Sequence, residues 1–381
     1  MKILDRGSRI PAWSRAVLLA ALAAGCGGGG DGAPVVAPVV PPVVSCSVSQ
    51  PGELQALEAQ MGTVLSQAAS EVDFSFAVER RDGRRFTFNR GSSTLNTSYE
   101  SKSASKLVSA VILMRLVEQG TLALSDQPQK YIEAWPIGGG DPLSGMTLAH
   151  LLSFTSGLTE DPACLNAGNA DFEDCALNVA DLNAGKGNVP GQAFFYASGH
   201  LQVAGLMAVR ARGVANWQAI VAEFKSQTGL FPASHYDFPS LANPTLAGGM
   251  HFTGEDYMAF LKALRSGQLL NSASMAQLLA DRTAGIPLVF SPIFSGIGGG
   301  AALGEDWHYG FGLWHECRSA TFNCVAGTRV SSPGALGTYP FWDISKNYSG
   351  IVVRAGAFGT TNTGIEIERS VRAAMEAWAA C

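Results

Sequence analysis

Hydrophobic positions along the 381-residue chain change their period several times, and each change predicts an element. From Pro51 to Ser70, Leu54, Leu57, Met61 and Leu65 recur at helical spacing, which predicts an amphipathic helix. Phe74-Ser75-Phe76-Ala77-Val78 and Phe86-Thr87-Phe88 then alternate on either side of Arg81-Asp82-Gly83, the pattern of a hairpin closed at an Asp-Gly turn. Between Ser103 and Gln119 the helical period returns, but apolar residues (LVSAVILMRLV) occupy nearly the whole circumference. That helix is expected to lie buried between layers and to stop at Gly120. Residues 121–305 read mostly as helical patterns broken by Gly- and Pro-rich loops. Strand-like runs return at Phe311–His315, Thr328–Ser332 and Gly350–Ala357, and Ile365–Ala380 closes the chain as a helix.

Sequential strands joined by short turns point to antiparallel pairing. The order predicts an α+β fold: a mostly antiparallel sheet flanked by N- and C-terminal helices, with an inserted all-helical lobe. The sheet lobe is expected over residues 46–120 and 306–381 and the helical lobe over 121–305. No internal repeat is visible.

Composition narrows the function classes. With 47% hydrophobic and 15% charged residues the chain suits a packed globular protein and not a disordered one. A net charge of -5, with no run of Lys and Arg, lacks the electrostatic footprint of a nucleic-acid binder. Six histidines and seven cysteines show no metal-ligand spacing, so neither a metal nor another cofactor is expected.

The N-terminus reads as an export signal over residues 1–26. Lys2, Arg6, Arg9 and Arg15 form a basic start, Ala16–Ala24 an apolar stretch too short to span a bilayer, and Ala23-Ala24-Gly25-Cys26 a small-residue end. That ending resembles a bacterial lipobox, which implies lipidation at Cys26 and a tether at the periplasmic face, on the outer membrane. A plain signal-peptidase cut is the alternative, because leucine is more usual where Ala23 stands. Residues 27–45 (GGGGDGAPVVAPVVPPVVS) read as a semi-extended spacer between anchor and domain. Six further cysteines in an exported chain predict disulfides. Six allow fifteen pairings. Proximity along the chain favours Cys164–Cys175 and Cys317–Cys324, leaving Cys46 for Cys381.

Candidate chemistry centres on Ser103-Ala104-Ser105-Lys106, a Ser-x-x-Lys that opens the apolar helix. Residues three apart share a helix face, so an amine stands beside a hydroxyl that is a weak nucleophile until a base takes its proton. Burial would lower the affinity of that amine for its proton, and the helix N-terminus would favour an oxyanion. No Gly-x-Ser-x-Gly elbow occurs.

The run SASKLVSAVILMRLVEQGTLALSDQPQKYI followed by TLAHLLSFTSGL, then Phe195-Tyr196-Ala197-Ser198, GGMHFTGEDYMAFL, YGFGLW and SSPGALG, resembles serine hydrolases of the class C β-lactamase and penicillin-binding superfamily, including family VIII carboxylesterases. The resemblance covers most of residues 50–380. It implies Ser103 as acyl-accepting nucleophile, Lys106 as its partner, and Tyr196 as general base and then acid. It also implies an oxyanion hole from the backbone N–H groups of Ser103 and Ala335. Two positions depart from the family pattern. Ser198 stands where an asparagine usually follows the tyrosine. Ser332-Pro333-Gly334 stands where a Lys-Thr-Gly or His-x-Gly would hold a substrate carboxylate. Ser198, Ser332 and Gly334 are thus the expected substrate-binding positions. With no charge at Ser332, a bound carboxylate loses a contact of roughly 1.5–3 kcal/mol unless Arg329 or Arg354 replaces it. The expected activity is hydrolysis of small neutral esters or amides through an acyl-enzyme, foremost as a carboxylesterase. A cell-envelope β-lactamase or D-alanyl peptidase, and a non-catalytic binding or sensor lipoprotein, are the alternatives.

Other residues read as structural: His150, Thr155-Ser156-Gly157 and Asp126 as packing, turn and cap. His308 and His315 flank a strand, and Tyr339, Phe341 and Trp342 line either the core or an acyl pocket. Oligomeric state is not legible.

Overall fold

A computed structural model describes residues 51–296 and 300–380. The export signal, Cys26, the 27–45 spacer and the Cys46–Cys381 pairing lie outside the described residues.

The centre is a seven-stranded sheet, antiparallel throughout. Its strands run in the spatial order Arg85–Asn89, Phe74–Arg80, Tyr348–Arg354, Tyr339–Asp343, Arg329–Ser331, Trp314–His315 and His308–Tyr309. The chain therefore leaves the sheet after two strands and returns for five. All seven residues of both Phe74–Arg80 and Tyr348–Arg354 are buried. Because successive side chains point to opposite faces, such strands must be covered on both sides. The terminal helices, Pro51–Ser66 and Thr361–Ala380, pack on each other, and the latter also on Tyr348–Arg354. The helix Gly254–Arg265 packs on Tyr348–Arg354 and Phe74–Arg80.

The hairpin and the terminal helices match the sequence expectation, with the first helix ending at Ser66 and the last beginning at Thr361. Three features differ. The Phe311–His315 run is split: a turn closed by Gly310 N–H to Leu313 O, with Gly312 at φ +69°, leaves the short strands His308–Tyr309 and Trp314–His315. Tyr339–Asp343 is a central strand, although Pro340 argues against one. Pro340 accepts from Ser332 N–H where the neighbouring strand has already ended, so its missing donor costs little. Finally, the inserted segment is not all-helical: beside its helices it carries long loops and short strands, among them Met250–Thr253, which pairs with Ser98–Glu100 just before the Ser103 turn.

Between the sheet and the C-terminal helix lies a buried ionic cluster. Arg329 bonds Glu316, Glu368 and Tyr348, and Arg372 closes on Glu368. Burial would raise the Glu316 carboxyl, but Arg329 and Arg372 overcome it and hold it down at about 2. Disulfides join Cys164 to Cys175 and Cys317 to Cys324, as their proximity led us to expect. No helix among the described residues is long and apolar enough to cross a membrane.

Candidate active site

The Ser103 turn is a 3-10 segment, Lys102–Ala104, that runs directly into the helix Ser105–Glu118. Eleven of that helix's fourteen residues are buried, in keeping with its all-round apolar pattern. Lys102 sits at φ +45°, a left-handed conformation that costs a non-glycine residue of order 1–3 kcal/mol. Neighbours hold it there: its ammonium pairs with Glu100 and lies 4.1 Å from the Phe238 ring centroid. Ser101 N–H donates to Met250 O, and Tyr257 Oη donates to Ala104 O at 2.9 Å. The strained turn raises Ser103, half-buried, at the head of the helix.

Lys106 is 3% exposed, and its Nζ donates to Ser103 Oγ at 2.9 Å and to Ala247 O at 2.8 Å. Burial lowers its pKa to about 7, against the opposing pull of the Asp161 charge. Close to neutral pH the amine is therefore free to take a proton. Tyr196 stands on the other side of the same hydroxyl. Its side chain lines the same cleft as Ser103 and Trp314, its ring stacks on Trp314 at 5.3 Å, and Lys106 Nζ lies 4.6 Å from its centroid. Burial pushes the phenol well above its ordinary pKa of 10. Burial thus favours the protonated phenol at Tyr196 and the neutral amine at Lys106.

A layer of rings supports Tyr196. Phe154, itself at φ +59°, packs against Tyr196 at 5.5 Å and stacks on His200 at 4.7 Å. His200 donates from Nε2 to Phe195 O and accepts at Nδ1 from Ser156 Oγ, a tautomer assigned from these partners. Burial lowers its pKa to about 4, so the imidazole is neutral and fixes the backbone on either side of Tyr196. Ser156, read as a turn residue, acts through this histidine.

The third motif alternates its roles. Pro333 and Ala335 line, with Ser103, Tyr196, Trp314 and Ile293, a narrow cleft. Ser332 does not: it is 3% exposed, and its hydroxyl is directed at Ser103 O and Gly312 O at 3.2 and 3.3 Å. Gly334 packs against the Ser101 carbonyl, which a Cβ would meet at 2.3 Å. Neither residue therefore faces the cleft as expected; both clamp the Ser103 turn onto the sheet. Ser198 is half-buried at the start of the helix Gly199–Arg212 and makes no side-chain cap. Asp161 caps it instead, accepting from Ser198 N–H at 2.7 Å and Gly199 N–H at 2.8 Å.

The two candidate substitutes for the missing cation are occupied elsewhere. Arg329 belongs to the ionic cluster, and Arg354, fully buried, pairs with Glu71 and donates to Thr360 Oγ1. His308 pairs with Asp281, and His315 accepts from Gly327 N–H. Tyr339 and Phe341 are fully packed in the sheet, whereas Trp314, seen in sequence only as part of a strand, stacks on Tyr196. Asp161, His200 and Trp314 escaped sequence reading because no local pattern marks them. Among the described residues no cluster of His, Cys, Asp and Glu is arranged to hold a metal.

Solved structures share this fold at low sequence identity. A D-amino acid amidase from Ochrobactrum anthropi SV3, solved with D-phenylalanine, is 15% identical with a TM-score of 0.66, covering 84% of this chain and 99% of its own. EstCE1, a hydrolase with promiscuous acyltransferase activity, is 16% identical with a TM-score of 0.64, over 84% and 98% of the two chains. A penicillin binding protein from Bacillus halodurans is 19% identical with a TM-score of 0.59, over 85% and 98%. The Beta-lactamase family model matches residues 74–362, a span that begins at the first strand of the hairpin and ends in the C-terminal helix. With a match over most of its length, this chain belongs to the Beta-lactamase family, a fold family of serine hydrolases.

Proposed function

We propose that the protein hydrolyses small neutral esters or amides through an acyl-enzyme on Ser103, foremost as a carboxylesterase. The observation that carries this reading is the Ser103 hydroxyl bonded to the buried Lys106 amine in a cleft that Tyr196 also lines; burial favours the neutral amine and the protonated phenol. In acylation, neutral Lys106 takes the Ser103 proton as Oγ bonds to the substrate carbonyl carbon. Tyr196 gives its proton to the departing alcohol or amine. Lys106 is then an ammonium and Tyr196 a phenolate. In deacylation, the phenolate takes a proton from the attacking water, and the ammonium returns one to Ser103 Oγ as the acid leaves. Both groups end as they began. The N–H groups of Ser103 and Ala335 are the proposed oxyanion donors.

The neutral-substrate preference rests on charge. The cleft-lining side chains carry none, and the nearby arginines are paired. The two disulfides favour an oxidising compartment, in keeping with export and a periplasmic, lipid-tethered site through Cys26.

The test compares p-nitrophenyl acetate with nitrocefin on purified wild type and Ser103→Ala, alongside labelling by a fluorophosphonate. Ester turnover and labelling that both vanish in the variant support the proposal. Fast nitrocefin hydrolysis with slow ester turnover replaces it with a β-lactamase, and absence of both turnover and label replaces it with a binding protein.

A further inference from the structure

Large apolar side chains exposed to solvent are unevenly placed around the Ser103 cleft. Three of them sit on segments that line the cleft or pair with its lining: Val289 at 65% exposure, Phe294 at 51% and Phe358 at 56%. Each is tied to the site by the backbone. Val289 lies in the strand Leu288–Phe290, which pairs with Phe194–Phe195, and Tyr196 N–H donates to Phe290 O. Phe294 follows Pro292 and Ile293, both of which line the cleft. Phe358 precedes Gly359 and Thr360, whose N–H groups both donate to Ala335 O, and cleft-lining Thr361 comes next. The two phenylalanine segments are joined across residues 300–303. Leu303 N–H donates to Ile293 O at 3.0 Å, Asn362 Nδ2 donates to Ala301 O at 2.6 Å, and Gly300 sits so close to Gly359 O that a Cβ would lie 1.9 Å away.

The side chains lining the cleft are mostly apolar: Pro292, Ile293, Trp314, Pro333 and Ala335. Exposed apolar side chains on segments that border an apolar cleft differ from scattered surface leucines, and apolar patches mark binding surfaces.

We propose that the rim formed by Val289, Phe294 and Phe358 receives an extended apolar acyl chain, so that the preferred substrates are medium-chain neutral esters. The inference rests on the hydrolase reading above and adds the chemistry of the acyl group. On this reading a short acyl group stays within the cleft, and the methylenes of a longer chain meet the exposed phenylalanines beside it. Burying those methylenes against Phe294 and Phe358 is favourable by the same transfer free energy that drives core formation.

The experiment measures kcat/KM for p-nitrophenyl acetate through octanoate, each below its micellar concentration. It uses wild type, the Phe294→Ser, Phe358→Ser double variant, and Leu241→Ser as a control at an exposed apolar site elsewhere. Thermal melts check that the variants fold. The wild type and the control are expected to prefer octanoate over acetate by at least about tenfold. The double variant is expected to bring that ratio to within about threefold while leaving acetate turnover within about twofold. A wild-type ratio near or below one with brisk acetate turnover overturns the rim proposal and leaves the hydrolase reading standing. A ratio that survives in the double variant overturns it as well. Failure of every ester to turn over overturns both.

Discussion

The Lys106 Nζ lies 2.8 Å from the carbonyl oxygen of Ala247, 141 residues further along the chain, and 2.9 Å from Ser103 Oγ, so one buried amine joins the Ser103 turn to a distant segment. Burial there lowers the amine's pKa to about 7. Activity is therefore expected to fall as pH drops through about 7, where Lys106 becomes an ammonium and can no longer accept the Ser103 proton. A pH profile of kcat/KM on a neutral ester checks this, and a limb near 10 would contradict it.

The same shift has a consequence for stability. Lys106 is lowered from 10.5 to about 7, so between those values the unfolded chain binds more protons than the folded one. Wild-type stability should rise with pH across that window, by up to about 4–5 kcal/mol from this group. Lys106→Met removes the titration. Denaturant melts from pH 7 to 10 should show the wild type gaining on the variant as pH rises; parallel curves would count against a neutral buried amine.

Asp161 works through charge at the same lysine. Its carboxylate favours the ammonium and also caps the helix after Tyr196. Asp161→Asn keeps one cap acceptor and loses the charge. The acidic limb of the pH profile is expected to move to lower pH, at a stability cost of about 1 kcal/mol. A purely structural cap would change the melt and leave the limb where it was.

Tyr196→Phe keeps the stack on Trp314 and the packing on Phe154, and removes only the phenol oxygen. Ester turnover should fall by roughly 10²–10⁴-fold, with the folded state retained. Loss of less than tenfold would remove Tyr196 from proton transfer.

Gly312 occupies φ +69°, and a Cβ there would meet Lys106 O at 2.5 Å and Ala110 Cβ at 2.7 Å. Gly312→Ala should destabilise by on the order of 2–4 kcal/mol, through strain and overpacking against the nucleophile helix. A thermal melt close to wild type would show that the helix can yield.

What could be read without coordinates followed from local rules. The hairpin at Asp82-Gly83, the buried helix after Ser103 and the terminal helices are set by period and turn chemistry, which act over a few residues. The Ser103–Lys106 pairing is of the same kind, because one helical turn brings the two together. Two disulfides were legible since their partners are near in the chain. Tertiary structure alone decided the rest. Whether Ser332 or Pro333 faces the cleft depends on how the strand meets the Ser103 turn, and alternation made Ser332 a clamp. Burial among rings that include Phe154 and Trp314 pushes the Tyr196 phenol towards its protonated form. Arg329 and Arg354 were lost to substrate because distant carboxylates claim them. Burial and charge pairing sum over neighbours from across the chain, and no local pattern in the amino-acid order records who those neighbours are.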